Sequence, residues 1–466
     1  MKKFINKLII LSLIALSASC SVDDVEPYYQ LTPEDAIRDE ASAQRILNGV
    51  YDLSREFDVS FFPLHLAAYG NEGRISGFLS GMNGMNNNTV KVQNPFLSNL
   101  YNGHYKIINS ANFLIGKLEE GAAVGISDER KASMIAEAKT MRALVSFKLL
   151  RYFGEHYDLS SPYGIVLKTN FSTEIVSIPR STVQESYDFI LEDLDDAIAN
   201  GPSNIPHFLV GKVTAQALKA KVLLYMNDYQ GAASLADEVI NNAEGYALET
   251  DYASIFTNTY NSPEVLFAPV HGSGSEGGTQ MSQVKQTTYS ETLRALSDAQ
   301  VPGAGVVSSG ADYDPRFAYA YSDMTKGNNA NGKYPFISNA ENENNTMYHL
   351  RLAEIYLIRA EALLRDPSGD DTEALSLLNE IRTRAGVAPS TTTDNAELLE
   401  EVRQEKLLEL FFENGEPLFD LVRFSILGDI NAADVKQSLD QEYKYIFPMP
   451  DQAVIGNTNL EQNPGY

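Results

Sequence analysis

The sequence predicts a mainly α-helical protein: stacked helical hairpins of the tetratricopeptide kind, with a loop-rich, irregular part set among them. Three observations carry this. Two tight helix pairs, at 213–241 and 349–384, place small residues where helices must meet. Apolar residues recur at helical spacing through much of the first 240 positions. Two long stretches, 58–97 and 246–347, lack that spacing and are rich in Gly, Asn, Ser and Tyr.

Taken in order, Met1 to Cys20 stands apart from the folded body. Lys2, Lys3 and Lys7 precede the apolar run Leu8 to Leu16, and small residues lead to Cys20, the only cysteine of the 466 residues. This is the pattern of a secretion signal. The run is too short for a bilayer-spanning helix, which needs about 20 residues. Leu16-Ser17-Ala18-Ser19-Cys20 resembles a bacterial lipoprotein processing site, in which the cysteine is lipidated and becomes the first residue. Ordinary signal cleavage beside an incidental cysteine is the competing reading. Ser21 to Pro27 then forms an acidic tether, similar to the surface-export signal of Bacteroidetes lipoproteins.

With residues 1–19 removed, 33 basic side chains face 62 acidic ones, a formal charge of −29. Such a field repels phosphate backbones, so no nucleic-acid partner is expected. A single cysteine permits no internal disulfide, and stability must rest on packing.

A first helix is expected over Asp35–Phe57, started by Thr32-Pro33-Glu34. Residues 58–97, with five glycines and the Asn86-Asn87-Asn88 run, read as one long loop of the kind that often binds ligands. Helices follow at Leu97–Leu118, at Lys131–Phe153 with Gly154 as its stop, and at Ser181–Asn200 with Thr182 and Glu185 as a capping box. Val213–Met226 and Tyr229–Asn241 pair across an Asn227-Asp228 turn, and His349–Leu364 pairs with Thr372–Arg384. Neither pair can bury its apolar face alone. The C-terminal helices must therefore return to complete the N-terminal array. Between the pairs, Val265–Val270 reads as an edge strand, because Pro269 cannot donate to a ladder. A last helix is expected at Ala396–Phe412.

Several of these stretches together resemble the SusD/RagB family. They are Ala136-Glu137-Ala138 through Arg142-Ala143 to Tyr152-Phe153-Gly154, the run Arg351 to Ala362, Leu378 to Gly386, Phe419-Asp420-Leu421-Val422-Arg423, and the closing Gln462-Asn463-Pro464-Gly465-Tyr466. Glu416-Pro417 departs from the family, which usually has a basic and a bulky residue there, and a change in the local surface is expected. The resemblance implies an outer-membrane, lipid-anchored protein facing the cell exterior. Such a protein captures an oligosaccharide or peptide and hands it to a SusC-like TonB-dependent transporter, without catalysis or cofactor. The organisation expected is a signal at 1–19, a lipidated tether at 20–32, an N-terminal helical region at 33–260, and a C-terminal region at 261–466 whose helices at 349–425 complete the array. A surface scaffold or adhesion protein that imports nothing is the alternative.

An enzyme is the rival class. Cys20 is committed to lipid, and the six histidines show no HExxH or paired spacing. Gly272 to Gly277 matches GxGxxG, but Pro269 interrupts the strand before it and no apolar helix follows, so it reads as a flexible loop. Asp366 to Glu373 lacks EF-hand spacing and reads as a helix junction. Sugar recognition usually stacks aromatic faces on C–H groups, and Trp, the best platform, is absent, which raises the odds of a peptide ligand. The candidate binding residues are Tyr69, Arg74, Phe78, Asn83 and Phe96 from the first irregular stretch, and Tyr289, Tyr321 and Tyr334 from the second. Each could instead be a buried or merely solvated loop residue.

Overall fold

The computed structural model describes residues 32–60, 62–75, 84–271, 287–300, 314–321, 331–336 and 345–466. The signal segment, Cys20, Phe78, Asn83 and the Gly272–Gly277 motif lie outside the described residues. α1 (Glu40–Ser54) opens where Asp39 and Ser42 cap each other. Asp39 Oδ1 accepts from the Ser42 N–H at 2.8 Å, and Ser42 Oγ accepts from the Asp39 N–H at 2.9 Å. The expected start at Thr32-Pro33-Glu34 is corrected, because Asp39 satisfies a first-turn donor and fixes the boundary.

The stretch 58–97 is not one loop. α2 (Phe57–Ser60), α3 (Pro63–Tyr69) and β1 (Gly73–Ile75) interrupt it. Every residue of α3 is buried, so no polar face betrays the helix in the sequence. α4 (Pro95–Glu119), α5 (Asp128–Phe153) and α6 (Val183–Asn200) follow the expected stripes, and Thr182 and Glu185 form the expected capping box. α7 (Lys212–Tyr225) and α8 (Tyr229–Ile240) make the first hairpin. Asn227 takes a φ of 61° in its turn, which Asn tolerates better than most residues, and Asp228 caps α8.

The second irregular stretch holds α9 (Tyr252–Asn258), β2 (Val265–Phe267), β3 (Thr287–Tyr289), α10 (Glu291–Gln300) and α11 (Pro315–Tyr321). β2 pairs antiparallel with β4 (Leu350–Arg351), and all three of its residues are buried. The strand expected at Val265–Val270 is thus shorter and lies inside. α12 (Leu352–Arg365) and α13 (Asp371–Arg384) form the second hairpin, in which Asp366 accepts from Ser368 and Asp370 caps α13. α14 (Asn395–Leu410), α15 (Glu416–Ile426), α16 (Ala432–Val435) and α17 (Asp451–Gly456) complete the chain.

The helices stack in one continuous path: α1 on α4, α4 on α5, and so through α6, α7 and α8. α8 then packs on α12, and α12 on α13 and α14. The C-terminal helices do return to extend the N-terminal array. Ala220, Ala232, Ala353, Ala360, Ala362 and Ala374 are all buried at these approaches.

The core also contains charge. Arg351 pairs with Glu264 at 2.5 Å, Glu409 at 3.0 Å and Glu413 at 2.7 Å, and all four side chains are buried. Arg151 and Lys221 share Glu416, at 2.8 and 2.5 Å, while Arg423 and Lys406 share Glu361. Glu416, expected to alter the local surface, is therefore an interior residue. Burial alone would raise its pKa, but Arg151 and Lys221 outweigh that and hold it down at about 2.

Candidate ligand groove

The two irregular stretches meet. β1 and β3 pair antiparallel, with Gly73 opposite Tyr289, Arg74 opposite Thr288 and Ile75 opposite Thr287. Gly73 is required by space: a Cβ there would lie 2.0 Å from Phe412 Cζ and 2.6 Å from the Thr288 carbonyl oxygen. Ile75 points into the core and Arg74, next along the strand, is exposed, as strand alternation demands. Asn86 finishes the ribbon's open edge by accepting from the Ile75 N–H at 2.9 Å and donating to its carbonyl at 2.8 Å.

Residues on either side lock this ribbon to the body. The Ser290 N–H donates to the Glu72 carbonyl at 3.0 Å, and Glu72 Oε2 accepts from the Phe412 N–H at 2.6 Å. Lys436 Nζ donates to the Ala68 and Tyr69 carbonyls at the C-terminal end of α3, and Asn88 donates to the same Tyr69 carbonyl at 2.8 Å. Burial, aided by the nearby Arg74 charge, pushes the Lys436 ammonium down to about 7.

Above the ribbon lies an open groove of about 570 Å³, lined by Arg74, Asn86, Asn87, Ser290, Glu291, Thr292 and the segment from Val435 to Ser438. Its wall is mostly polar: a guanidinium fork, amides, hydroxyls and carboxylates. Among the described residues no carboxylate pairs with Arg74. This set donates to and accepts from hydroxyl or amide groups.

Of the sequence-predicted residues, Arg74 lines the groove, and Tyr289 faces Gly73 across the ribbon with its ring half-buried against Phe317 and Tyr321. Tyr69, Tyr321 and Tyr334 are corrected from platforms to core. Tyr69 donates to the Lys444 carbonyl at 2.7 Å, Tyr334 donates to the Phe412 carbonyl, and Tyr321 accepts from Asn331 at 3.3 Å. A phenol whose hydroxyl finds a partner buries its ring at little cost. Phe96 is partly buried beside His65 on the first turn of α4. Asn86, Asn87 and Lys436 were missed. The Asn run offered a signal; Lys436, in a short polar stretch, offered none.

Nothing in the groove suggests catalysis by histidine. His104, His156 and His271 are buried elsewhere, and burial drives each down to about 3, leaving them neutral. Among the described residues no three His, Cys, Asp or Glu side chains cluster as a metal site, and no helix is long and apolar enough to cross a membrane.

Glu72, behind the ribbon, is the group through which pH should reach the site. Burial pushes its carboxyl from 4.5 up to about 8, opposed by the Phe412 N–H and by Lys333. Its contribution to stability is complete below pH 4.5 and is lost as pH rises through about 8, because the unfolded chain gives up this proton first. Glu72→Gln keeps an acceptor for Phe412 and carries no proton to lose. Denaturation midpoints between pH 5 and pH 9 (about the window those pKa values set) should fall less for the variant than for the parent. Parallel curves would remove Glu72 from this role.

The architecture defines a class: a helical-repeat scaffold carrying a loop-built polar groove. A sequence profile described as "SusD family" matches residues 297–466, and one described as "Starch-binding associating with outer membrane" matches residues 24–224. The chain belongs to the SusD/RagB family. It is 28% identical to SusD-like protein P2 of Formosa agariphila over the full length of both chains, and 23% identical to the starch-binding protein SusD of Bacteroides thetaiotaomicron over 77% of this chain and 76% of that one. A solved SusD superfamily protein from Bacteroides thetaiotaomicron superposes with a TM-score of 0.76 at 23% identity, covering 91% of this chain and 99% of that one. A structure titled as a laminarin-binding SusD-like protein gives 0.73 at 23% identity, covering 92% of this chain and all of the other.

Proposed function

We propose that this protein is a lipid-anchored nutrient-binding protein of the outer membrane, held at Cys20 and facing the cell exterior. It captures a glycan in the groove over the β1–β3 ribbon and delivers it to a SusC-like TonB-dependent transporter. The observation that carries this is the meeting of the two irregular stretches as one ribbon under one polar, open groove. Relatives named for starch and laminarin favour a carbohydrate over the peptide that the absence of Trp first suggested. The groove offers donors and acceptors suited to sugar hydroxyls, with Arg74 as a fork whose planar face also packs on C–H groups. Binding needs no reacting group, and a wall of amides, hydroxyls and carboxylates suffices for it.

Calorimetry of the soluble chain starting after Cys20 against panels of oligosaccharides and peptides tests this directly. A glycan should bind, and Arg74→Ala should weaken it roughly tenfold, the loss of one or two charge-assisted hydrogen bonds. Binding of peptides alone, or of neither panel, would sink the proposal. Co-purification of the full chain with a large outer-membrane barrel tests the partner, and its absence would favour the surface-scaffold alternative.

A further inference from the structure

We propose that the glycan held over the β1–β3 ribbon is an acidic one, whose carboxylate or sulfate group lies between Arg74 and Lys436. The inference rests on this groove being the glycan site. Two cations and two carboxylates line it, Arg74 and Lys436 against Glu291 and Asp440, but they do not cancel one another. Arg294 holds Glu291 at 2.8 Å and Lys444 holds Asp440 at 2.6 Å, and neither of these bases lines the groove. Both carboxylates are thus already answered. The cations are not. Lys436 Nζ donates to the Ala68 and Tyr69 carbonyls, which carry no charge, and among the described residues no carboxylate forms an ion pair with it or with Arg74. The groove therefore carries a surplus of positive charge, in a chain whose 62 acidic side chains outnumber 36 basic ones.

That surplus is built into the backbone. The register of the ribbon sets Arg74 opposite Thr288, and two carbonyls at the end of α3 fix the Lys436 ammonium. The two cations are near enough for the Arg74 charge to add to burial in holding Lys436 down at about 7. An anion between them relieves this repulsion, and its oxygens accept charge-assisted hydrogen bonds from both groups. Glu72, the acid behind the ribbon that acts on Lys436, does not fill the place. Burial raises its carboxyl to about 8, and its Oε2 already accepts from the Phe412 N–H at 2.6 Å. Asn87 and Gln437 add exposed amides to the same wall, suited to the hydroxyls beside an acid group on a sugar ring. The negative charge of the whole chain opposes an anion only at range. At 0.1 M salt fields are screened beyond about 10 Å, whereas the groove's cations act in contact.

The test compares matched ligands. The soluble chain starting after Cys20 is titrated with an oligogalacturonate and with a sulfated galactan oligosaccharide, each beside its neutral counterpart made by carboxyl reduction or desulfation. At least one charged member should bind about tenfold or more tightly than its counterpart, the worth of one charge-assisted hydrogen bond. Which member does so identifies the acid group. The gap should narrow as salt rises from about 0.01 M to about 1 M, over which the screening length falls from about 30 Å to about 3 Å. Arg74→Gln keeps an amide but removes the charge and should close most of the gap, while Arg74→Lys should keep much of it. Lys436→Gln, whose amide can still donate to the α3 carbonyls, should narrow it as well. Neutral glycans bound as tightly as acidic ones would overturn this inference and leave the glycan reading standing. A preference that survives both Arg74→Gln and Lys436→Gln would place the anion elsewhere and overturn it too. Binding of polyglutamate but of no glycan, or of neither, would overturn both.

Discussion

Replacing Arg351 by methionine is expected to destabilise the protein by about 4 kcal/mol, the cost of breaking a buried ion pair from one side. Arg351 is 1% exposed at the start of α12 and is surrounded by carboxylates from three other segments: Glu264 ahead of β2, Glu409 on α14 and Glu413 just after it. Its Nη2 also donates to the Glu409 carbonyl at 3.0 Å. Burial works against the guanidinium charge, but Glu413, Glu409 and Glu264 outweigh it and hold the group protonated, well above the ordinary arginine value. Removing the cation leaves three carboxylates with Arg384, Lys333 and Arg316 as their remaining partners. Folded domains are stable by only about 5–15 kcal/mol, so the loss should appear as a large drop in the denaturant midpoint. Arg351→Met combined with Glu413→Gln should recover part of it. A midpoint within error of the parent would show that the network is a set of incidental contacts.

That network also explains what the sequence could and could not disclose. α5, α6 and both hairpins were legible because an apolar stripe at helical spacing has one physical cause, a face turned to the core. Arg351, Glu354, Glu361, Arg384, Asp420 and Arg423 were legible only as family motif residues. A charge within an apolar helix ordinarily reads as a solvated position, and nothing local tells that its partner lies 60 or 90 residues away. In the structure Arg351 and Arg384 hold Glu264 of the second irregular stretch onto the helical array, Glu354, Glu361, Asp420 and Arg423 pair with charges on the array's own helices, and none lines the groove. The groove was legible as two stretches but not as one site. β1 and β3 are three residues each, one begins with glycine, and no alternation pattern in so short a run can specify a partner more than 200 positions distant. The tyrosines misled for a related reason: in polar loop sequence an aromatic residue signals either a ligand platform or a local core. Which of the two holds depends on whether a partner waits for its hydroxyl, a backbone carbonyl for Tyr69 and Tyr334 and the Asn331 amide for Tyr321.

Gly73→Ala tests the ribbon itself, and it is expected to lower both stability and ligand affinity. The added carbon would meet the Phe412 ring at 2.0 Å and the Thr288 carbonyl at 2.6 Å. The ring has little room to yield. Phe412 already sits at a φ of 59°, its N–H is committed to Glu72, and its carbonyl accepts from Tyr334. Overpacking of this kind costs about 1–3 kcal/mol, and the cheapest relief is to part β1 from β3, since a backbone oxygen of the partner strand is one of the two obstacles. Parting them moves Arg74 away from Ser290, Glu291 and Thr292, which share the groove wall with it. Gly49→Ala in α1 is the control: a Cβ there meets nothing within 4 Å, and alanine in a helix should stabilise by up to about 1 kcal/mol. The outcome that separates the fold from the site is affinity measured well below the denaturation midpoint. If Gly73→Ala is destabilised but binds the glycan as the parent does, the ribbon is only a structural tie and the binding groove lies elsewhere. If affinity falls along with stability while Gly49→Ala keeps both, the β1–β3 ribbon is the floor on which the ligand is held.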